Sequence, residues 1–254
     1  MPKVHDAVIL MAGAGSRLRA SGRVSPKPLV PLLDRPLVSY VIENLQSAGV
    51  RRLHAVVGSE SEALLGGLMP LIPPDMKLRP IRNREWQKQN GVSLLAAASE
   101  QLSCPFFLTM GDHLFDKELL IALLREGDPN DLNLAIDRKI EDIFDLPDAM
   151  KIQTRDGRIV AISKELARFD AIDTGVFLCP SDIFAYLHLA QVGGDCSLAD
   201  GVRLMARDGR ARAIDVGDAW WQDVDTAEML ARAEEQLLLR GRWQTSTRAT
   251  VAAE

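Results

Sequence analysis

Apolar runs of strand length alternate with amphipathic stretches of helix length through the first half of the chain. Residues 4–10 read as a strand. Residues 35–47 read as a helix, with Pro36 suited to its first turn and Gly49 to its end. A strand at 53–57, a helix at 60–68, a shorter strand at 77–81 and a helix at 92–101 follow. Residues 106–110 form a strand that ends on Gly111-Asp112. The second half is richer in strands, at 132–137, 150–154, 158–162 and 176–179. Asp156-Gly157 gives a strong hairpin signal between the second and third of these. Helices at 182–190 and 198–207 come next, the latter capped by Ser197, then a strand at 211–216. A last helix runs from a Thr226 cap to about residue 239.

This alternation implies βαβ units and an α/β fold: a Rossmann-like mixed, mostly parallel sheet with helices on both faces, plus a smaller β-rich subregion. In such sheets ligands bind beyond the carboxyl ends of the strands. The loop Gly13–Arg17 and the turn Gly111–His113 both stand at such ends and are expected to share one crevice. Residues 1–240 are read as one domain, and the polar, non-periodic stretch 241–254 as a tail or linker.

Composition narrows the function classes. The 254-residue chain can bury a substantial core, and 47% hydrophobic with 26% charged residues is ordinary for a globular protein. A net charge of -5 argues against a nucleic-acid partner, which calls for a basic face. Cys104, Cys179 and Cys196 are far apart, without zinc-ligand spacing, and suit a reducing cytoplasm. The N-terminus enters a strand directly, so no signal peptide is expected. No apolar run reaches membrane-spanning length.

The first glycine loop is neither of two familiar kinds. A dinucleotide fingerprint needs a third glycine where Leu18 stands, which removes a nicotinamide-dependent dehydrogenase from consideration. A P-loop needs G-K-[ST] after four residues, which is also missing. What stands instead is G-x-G-x-R followed by Ser25-Pro26-Lys27-Pro28-Leu29. Glycine allows close backbone approach, and its N–H groups can line a nest for phosphate oxygens, to which Arg17 and Lys27 add charge. The plainer alternative is a strand-to-helix turn with two solvated cations. Glycines, arginine and Lys-Pro occurring together at a strand end weigh against it.

An aspartate that ends a buried strand is costly unless it meets a cation, so Asp112 is a candidate magnesium ligand. A second carboxylate is expected from Asp223 or Asp225, which alternation places on one face. The plainer readings are helix caps. Trp220-Trp221 reads as core packing rather than a stacking platform. His5, His54 and His188 read as structural.

The order L-x-A-G-x-G-x-R…K-P-L resembles the signature of the sugar-phosphate nucleotidyltransferase superfamily. Met-Gly-Asp-His at 110–113 narrows the resemblance to the CTP:inositol-1-phosphate cytidylyltransferases. N-G-x-S-L-x-x-A at 90–97, A-I-D-R at 135–138, D-A-x-K-I at 148–152, I-S-K-E-L at 162–166, A-I-D-T-G-V-F at 171–177 and D-V-D-T at 223–226 support it. Together the matches run from residue 7 to about 230.

The resemblance implies cytidylyl transfer from CTP to myo-inositol 1-phosphate, giving CDP-inositol and pyrophosphate, with Mg2+ on Asp112 and Asp223 or Asp225, Asp223 being slightly favoured. The triphosphate would be wrapped by Met11, Ala12, Gly13, Ala14, Gly15 and Ser16. Arg17 would hold the leaving phosphates and Lys27 would stabilise the α-phosphate transition state. Asn90, Gly91 and Ser93 would recognise the base. Lys151, Lys164, Asp137, Asp173 and Thr174 would bind the acceptor, while His113 orients Asp112 or touches phosphates and is not assigned as a base. Some family members are fused to a membrane-embedded transferase, so coupling to such a partner is implied, for phospholipid synthesis. The alternatives are a nucleotidyltransferase for phosphocholine or a sugar 1-phosphate, and a non-catalytic nucleotide-sensing subunit. Phosphocholine would need an aromatic cage, and the acceptor half has few aromatics (Phe144, Phe169, Phe177, Phe184).

Overall fold

Every residue of β1 (Asp6–Met11) is buried, as a central strand covered on both faces requires. Ala7, Ile9 and Met11 enter one hydrophobic cluster, and Val8 and Leu10 enter another. The two-residue period of the strand therefore defines an apolar layer on each face. The computed structural model describes residues 3–13, 15, 17–18, 25–58 and 60–240. Ala14, Ser16 and the tail 241–254 lie outside the described residues.

The further strands are β2 (Pro31–Leu32), β3 (Arg35–Pro36), β4 (Arg52–Val57), β5 (Lys77–Arg82), β6 (Phe106–Met110) and β7 (His113–Phe115). They are followed by β8 (Leu132–Asp137), β9 (Lys151–Arg155), β10 (Arg158–Ser163), β11 (Ala171–Cys179), β12 (Ala211–Asp215) and β13 (Trp221–Asp223). Nine of these form one mixed sheet in the order β5-β4-β1-β6-β11-β8-β12-β10-β9. The β5-β4-β1-β6 portion is parallel, as is β8 with β12. β11 runs antiparallel to both of its sheet neighbours and also pairs with β9, which closes the hairpin β9-β10 back onto the sheet. That closure builds the β-rich subregion beside the parallel half.

The helices follow the same logic. In helix Leu37–Ser47, Val38, Val41, Ile42 and Leu45 fall on one face and pack into the cluster beneath β1. Each such fully buried aliphatic contributes about 1.5–3 kcal/mol. Ser197 caps helix Leu198–Arg207, its hydroxyl accepting from Asp200 N at 3.2 Å while the Asp200 carboxylate accepts from Ser197 N at 2.7 Å. Thr226 likewise caps helix Ala227–Leu239 through Met229 N.

Three expected elements differ. The strand expected over 176–179 begins at Ala171, because Ile172 and Asp173 already pair with β8 ahead of the irregularity around Gly175. Arg35 and Pro36 open a two-residue strand, not a helix, because Leu33 and Asp34 adopt φ of 47° and 64° and turn the chain back on Pro31–Leu32. Positive φ at both loop positions is the type I′ hairpin turn, here without its usual Asn-Gly signal. The helix expected over 92–101 runs instead over Asn90–Leu95. Beyond it the backbone tightens to i→i−3 bonds, Ala97 N to Leu94 O at 2.9 Å and Ala98 N to Leu95 O at 3.0 Å.

Candidate active site

β1 and β6 are parallel neighbours, so the loops leaving their carboxyl ends lie side by side. Gly111 N donates to Leu10 O at 3.0 Å, which brings Asp112 next to the glycine loop. A β-carbon at Gly111 would fall 2.4 Å from Met11 Cγ, so only glycine permits this approach. β13 pairs antiparallel with β7, Asp223 opposite His113, and Val224 N donates to Asp112 O at 3.0 Å. Asp112, Asp223 and Asp225 thereby line one cavity of about 670 Å³ with Arg17. Lys27 enters from the short turn Lys27–Leu29, and Gly15, at φ +62°, lies against its side chain.

The charged groups alternate in sign across the cleft. Lys27 donates to both Asp112 and Asp225, and Arg17 donates to Asp225 Oδ2 at 2.6 Å. Arg17 also donates to Asp148 Oδ2 at 3.3 Å, whose other oxygen accepts from Lys164. The chain Asp112–Lys27–Asp225–Arg17–Asp148–Lys164 thus spans from the glycine loop to the β9-β10 hairpin.

Burial opposes charge at Lys27, yet Asp112 and Asp225 hold its ammonium pKa above the ordinary value. Burial also works against the Asp112 carboxylate, but Lys27 and His113 keep it well below the usual range. His113 Nδ1 lies 2.7 Å from Asp112 Oδ1 and the ring stacks on Trp221, with centroids 6.3 Å apart. Asp223 differs. It receives no side-chain hydrogen bond from a described residue, and burial, with Asp225 and Asp112 nearby, raises its carboxyl despite His113. Among the described residues no three His, Cys, Asp or Glu side chains gather closely enough to hold a metal ion by themselves.

In the expected acceptor half the structure separates the candidates. Lys164 and Asp173 line the cavity. Asp173 accepts from Gly175 N at 2.7 Å, and burial pushes its carboxyl up to about 6. Asp137 also reaches the cavity wall, but is held by Lys139 Nζ at 2.8 Å and by the Trp221 indole N–H at 2.9 Å. Lys151 does not face the cleft as expected: its ammonium donates to the carbonyls of Lys164 at 2.6 Å and Pro147 at 3.4 Å. Thr174 is turned away as well. The β11 irregularity between Asp173 and Phe177, with Gly175 at φ +73°, buries its side chain, which donates to Ala135 O at 2.8 Å.

At the other end Asn90 and Ser93 line the cavity. Asn90 Oδ1 accepts from Leu198 N at 2.8 Å, and Ser93 Oγ accepts from Asn83 at 3.0 Å. Gly91 faces elsewhere, since a β-carbon there would meet Cys196 O at 2.6 Å and Ser197 O at 2.7 Å. Its glycine serves backbone packing rather than a surface open to the cavity. Of the glycine loop, Ala12 and Gly13 line the cavity, and Met11, Gly13 and Gly15 line a smaller recess around Lys27.

Asp148 begins the D-A-x-K-I motif, but its position between two cations comes only from the fold. Trp221 is both packing and wall, which the tandem tryptophans alone do not reveal. His54, read as structural, is buried with its ring nitrogen 2.7 Å from Asp6 Oδ1.

The family described as the MobA-like NTP transferase domain matches residues 7–147. The "Bifunctional IPC transferase and DIPP synthase" of Rubrobacter xylanophilus is 34% identical over 235 residues, covering 91% of this chain and 52% of that protein. The protein of the same name from Thermococcus kodakarensis is 33% identical, covering 91% of this chain and 50% of that one. The chain therefore spans about half the length of these relatives. Among solved structures, the inositol-1-phosphate CTP transferase from T. maritima superposes with a TM-score of 0.84 at 25% identity, covering 93% of this chain and 96% of that one.

Proposed function

Because the chain belongs to the MobA-like NTP transferase family, we propose that it transfers a cytidylyl group from CTP to myo-inositol 1-phosphate, releasing pyrophosphate and forming CDP-inositol. The observation that carries this is the convergence of Lys27 and Arg17 on Asp225 at the glycine-loop end of a cavity that holds Lys164 at its other end. Two anionic substrates meeting in one cleft need cations at both ends. The inositol-1-phosphate CTP transferase of T. maritima and the longer IPC transferase relatives support the choice of substrates.

The acceptor's phosphate oxygen attacks the α-phosphorus of CTP, and the bond from that phosphorus to the bridging oxygen of the β-phosphate breaks. Lys27 offsets charge at the α-phosphate and Arg17 at the departing pyrophosphate; both are preorganised by Asp225. A phosphate dianion is already a nucleophile near neutral pH, so no side chain need remove a proton. The bond from Leu198 N fixes the Asn90 oxygen, and the amide N–H donors on the other side complement the O2 and N3 acceptors of cytosine.

Asp112, with Asp223 or Asp225, fits magnesium: hard oxygens, one or two carboxylates rather than a full protein cage, and room for substrate phosphates. Asp223, to which no described side chain donates, is the better second ligand, because Asp225 already holds two cations. When bound, Mg2+ would supply further charge compensation on the nucleotide phosphates.

Phe144 and Trp220, which line the cavity, carry the guanidiniums of Arg232 at 5.0 Å and Arg240 at 5.5 Å from their ring centroids. These rings are therefore not an open cage for choline. Among the described residues no helix is long and apolar enough to cross a membrane. Placement in the cytoplasm and coupling to a membrane transferase that consumes CDP-inositol complete the reading. The test is phosphorus NMR of the protein with CTP, inositol 1-phosphate and Mg2+. Pyrophosphate and CDP-inositol should appear in equal amounts and be lost with chelator or Asp112→Asn, whereas CTP left intact overturns the proposal.

A further inference from the structure

Asp148 stands where the alternating chain crosses from the nucleotide end of the cleft to the acceptor end. One carboxylate oxygen accepts from Arg17 and the other from Lys164. Both cations and Asp148 itself line the cavity, and its side chain is 42% exposed, so a dissolved anion can reach the same place. Hydrogen bonds from Lys164, together with Arg17, hold its carboxyl below the ordinary range, so it is charged at neutral pH.

The backbone around this carboxylate is fixed. Asp148 N donates to Asp145 O at 3.1 Å, which closes a turn. The buttress beneath is Lys151, whose ammonium ties the carbonyl of Pro147 to that of Lys164. Lys151 therefore sets the spacing between the residue before Asp148 and the backbone that carries the Lys164 side chain. A carboxylate held this way presents two oxygens to a guanidinium and an ammonium, which is the donor pattern a phosphate monoester would use.

We propose that Asp148 is an internal stand-in for the acceptor's phosphate: it holds Arg17 and Lys164 in place while the cleft is empty, and the incoming phosphate takes its place at Lys164, which frees Arg17 for the departing pyrophosphate. The cost is built in, because the phosphate must displace a carboxylate. The benefit is selectivity, since the two cations are not left as an open trap for inorganic phosphate. This deepens the proposed function, and rests on it only in naming the displacing anion as the acceptor's phosphate.

The test uses inorganic phosphate as the probe on nucleotide-free protein, by titration calorimetry with thermal melts as a folding control. Asp148→Asn removes the negative charge and should bind phosphate about tenfold more tightly than the parent, as expected for one unit charge a few Å away in a mostly aqueous setting. Adding Lys164→Gln to that variant should abolish the gain, which places the anion at Lys164 rather than among the Lys27 groups. Asp148→Ser provides a second removal of the charge and should show the same gain. A merely structural role for Asp148 would weaken phosphate binding or leave it unchanged. Unchanged or weaker binding in both variants, or a gain that survives Lys164→Gln, overturns the proposal. Neither readout involves CTP or inositol, so a failure of cytidylyl transfer leaves this result standing, and the reverse also holds.

Discussion

The Lys27 ammonium donates to the Asp112 carboxylate across 85 residues of sequence, and each holds the other's charge in place at the mouths of two adjacent parallel strands. The Lys27 side chain is only 10% exposed, so its desolvation is offset by the carboxylates around it. Lys27→Met should lower kcat for pyrophosphate release by about a hundred- to a thousandfold, the range seen when one preorganised charge-stabilising donor is lost. Steady-state kinetics checks this. A change confined to the KM for CTP would show that Lys27 binds nucleotide without favouring the transition state.

Asp173 links stability to pH in an unusual direction. Burial lifts its carboxyl to about 6, while an exposed aspartate titrates near 4. Between those values the folded protein binds more protons than the unfolded chain, so this residue makes stability fall as pH rises through that window. Asp173→Asn keeps an acceptor for Gly175 N and removes the buried charge. It should be more stable than the parent above pH 6, equal to it near pH 4, and poorer in acceptor KM. Urea unfolding across that range checks the sign; a variant less stable at pH 7 contradicts it.

Asp6 acts oppositely, at the far ends of the strands. Burial would raise its carboxyl, but hydrogen bonds from His54, Arg52 and Ser103 hold it well below the usual range. Its contribution is complete above about pH 4 and is lost as pH falls through the depressed folded value. Asp6→Asn should cost about 2 kcal/mol at pH 7, since it weakens charge-assisted bonds and leaves buried donors poorly paired. Its acid limb should then be flatter than the parent's in urea titrations below pH 4. Parallel acid limbs would place the acid sensitivity elsewhere.

What could be read in advance follows from how local each signal is. The glycine loop and Asp112 follow from strand ends, which hydrophobic patterning marks directly, whereas the aspartates around β13 rest on alternation and on the family resemblance. The facing of Lys151 and Thr174 was not readable, because it depends on the closure of β9 onto β11 and on the irregularity at Gly175. The resemblance sets Gly91 against the base, whereas its packing on the Cys196 and Ser197 carbonyls depends on the fold. The Leu33-Asp34 turn escaped because its positive φ values are carried by residues that do not advertise them. Asp148 was visible in a motif, yet its role needed Arg17 and Lys164 to be brought together from distant parts of the chain.

The most direct measurement is a pyrophosphate-release assay crossing the four ribonucleoside triphosphates with inositol 1-phosphate, phosphocholine and several sugar 1-phosphates, at fixed Mg2+. The expected result is turnover with CTP and inositol 1-phosphate, with kcat/KM at least about tenfold above any other pair, the discrimination a few directed hydrogen bonds supply. Turnover confined to a sugar 1-phosphate, or tight CTP binding with no pyrophosphate released from any pair, would contradict it.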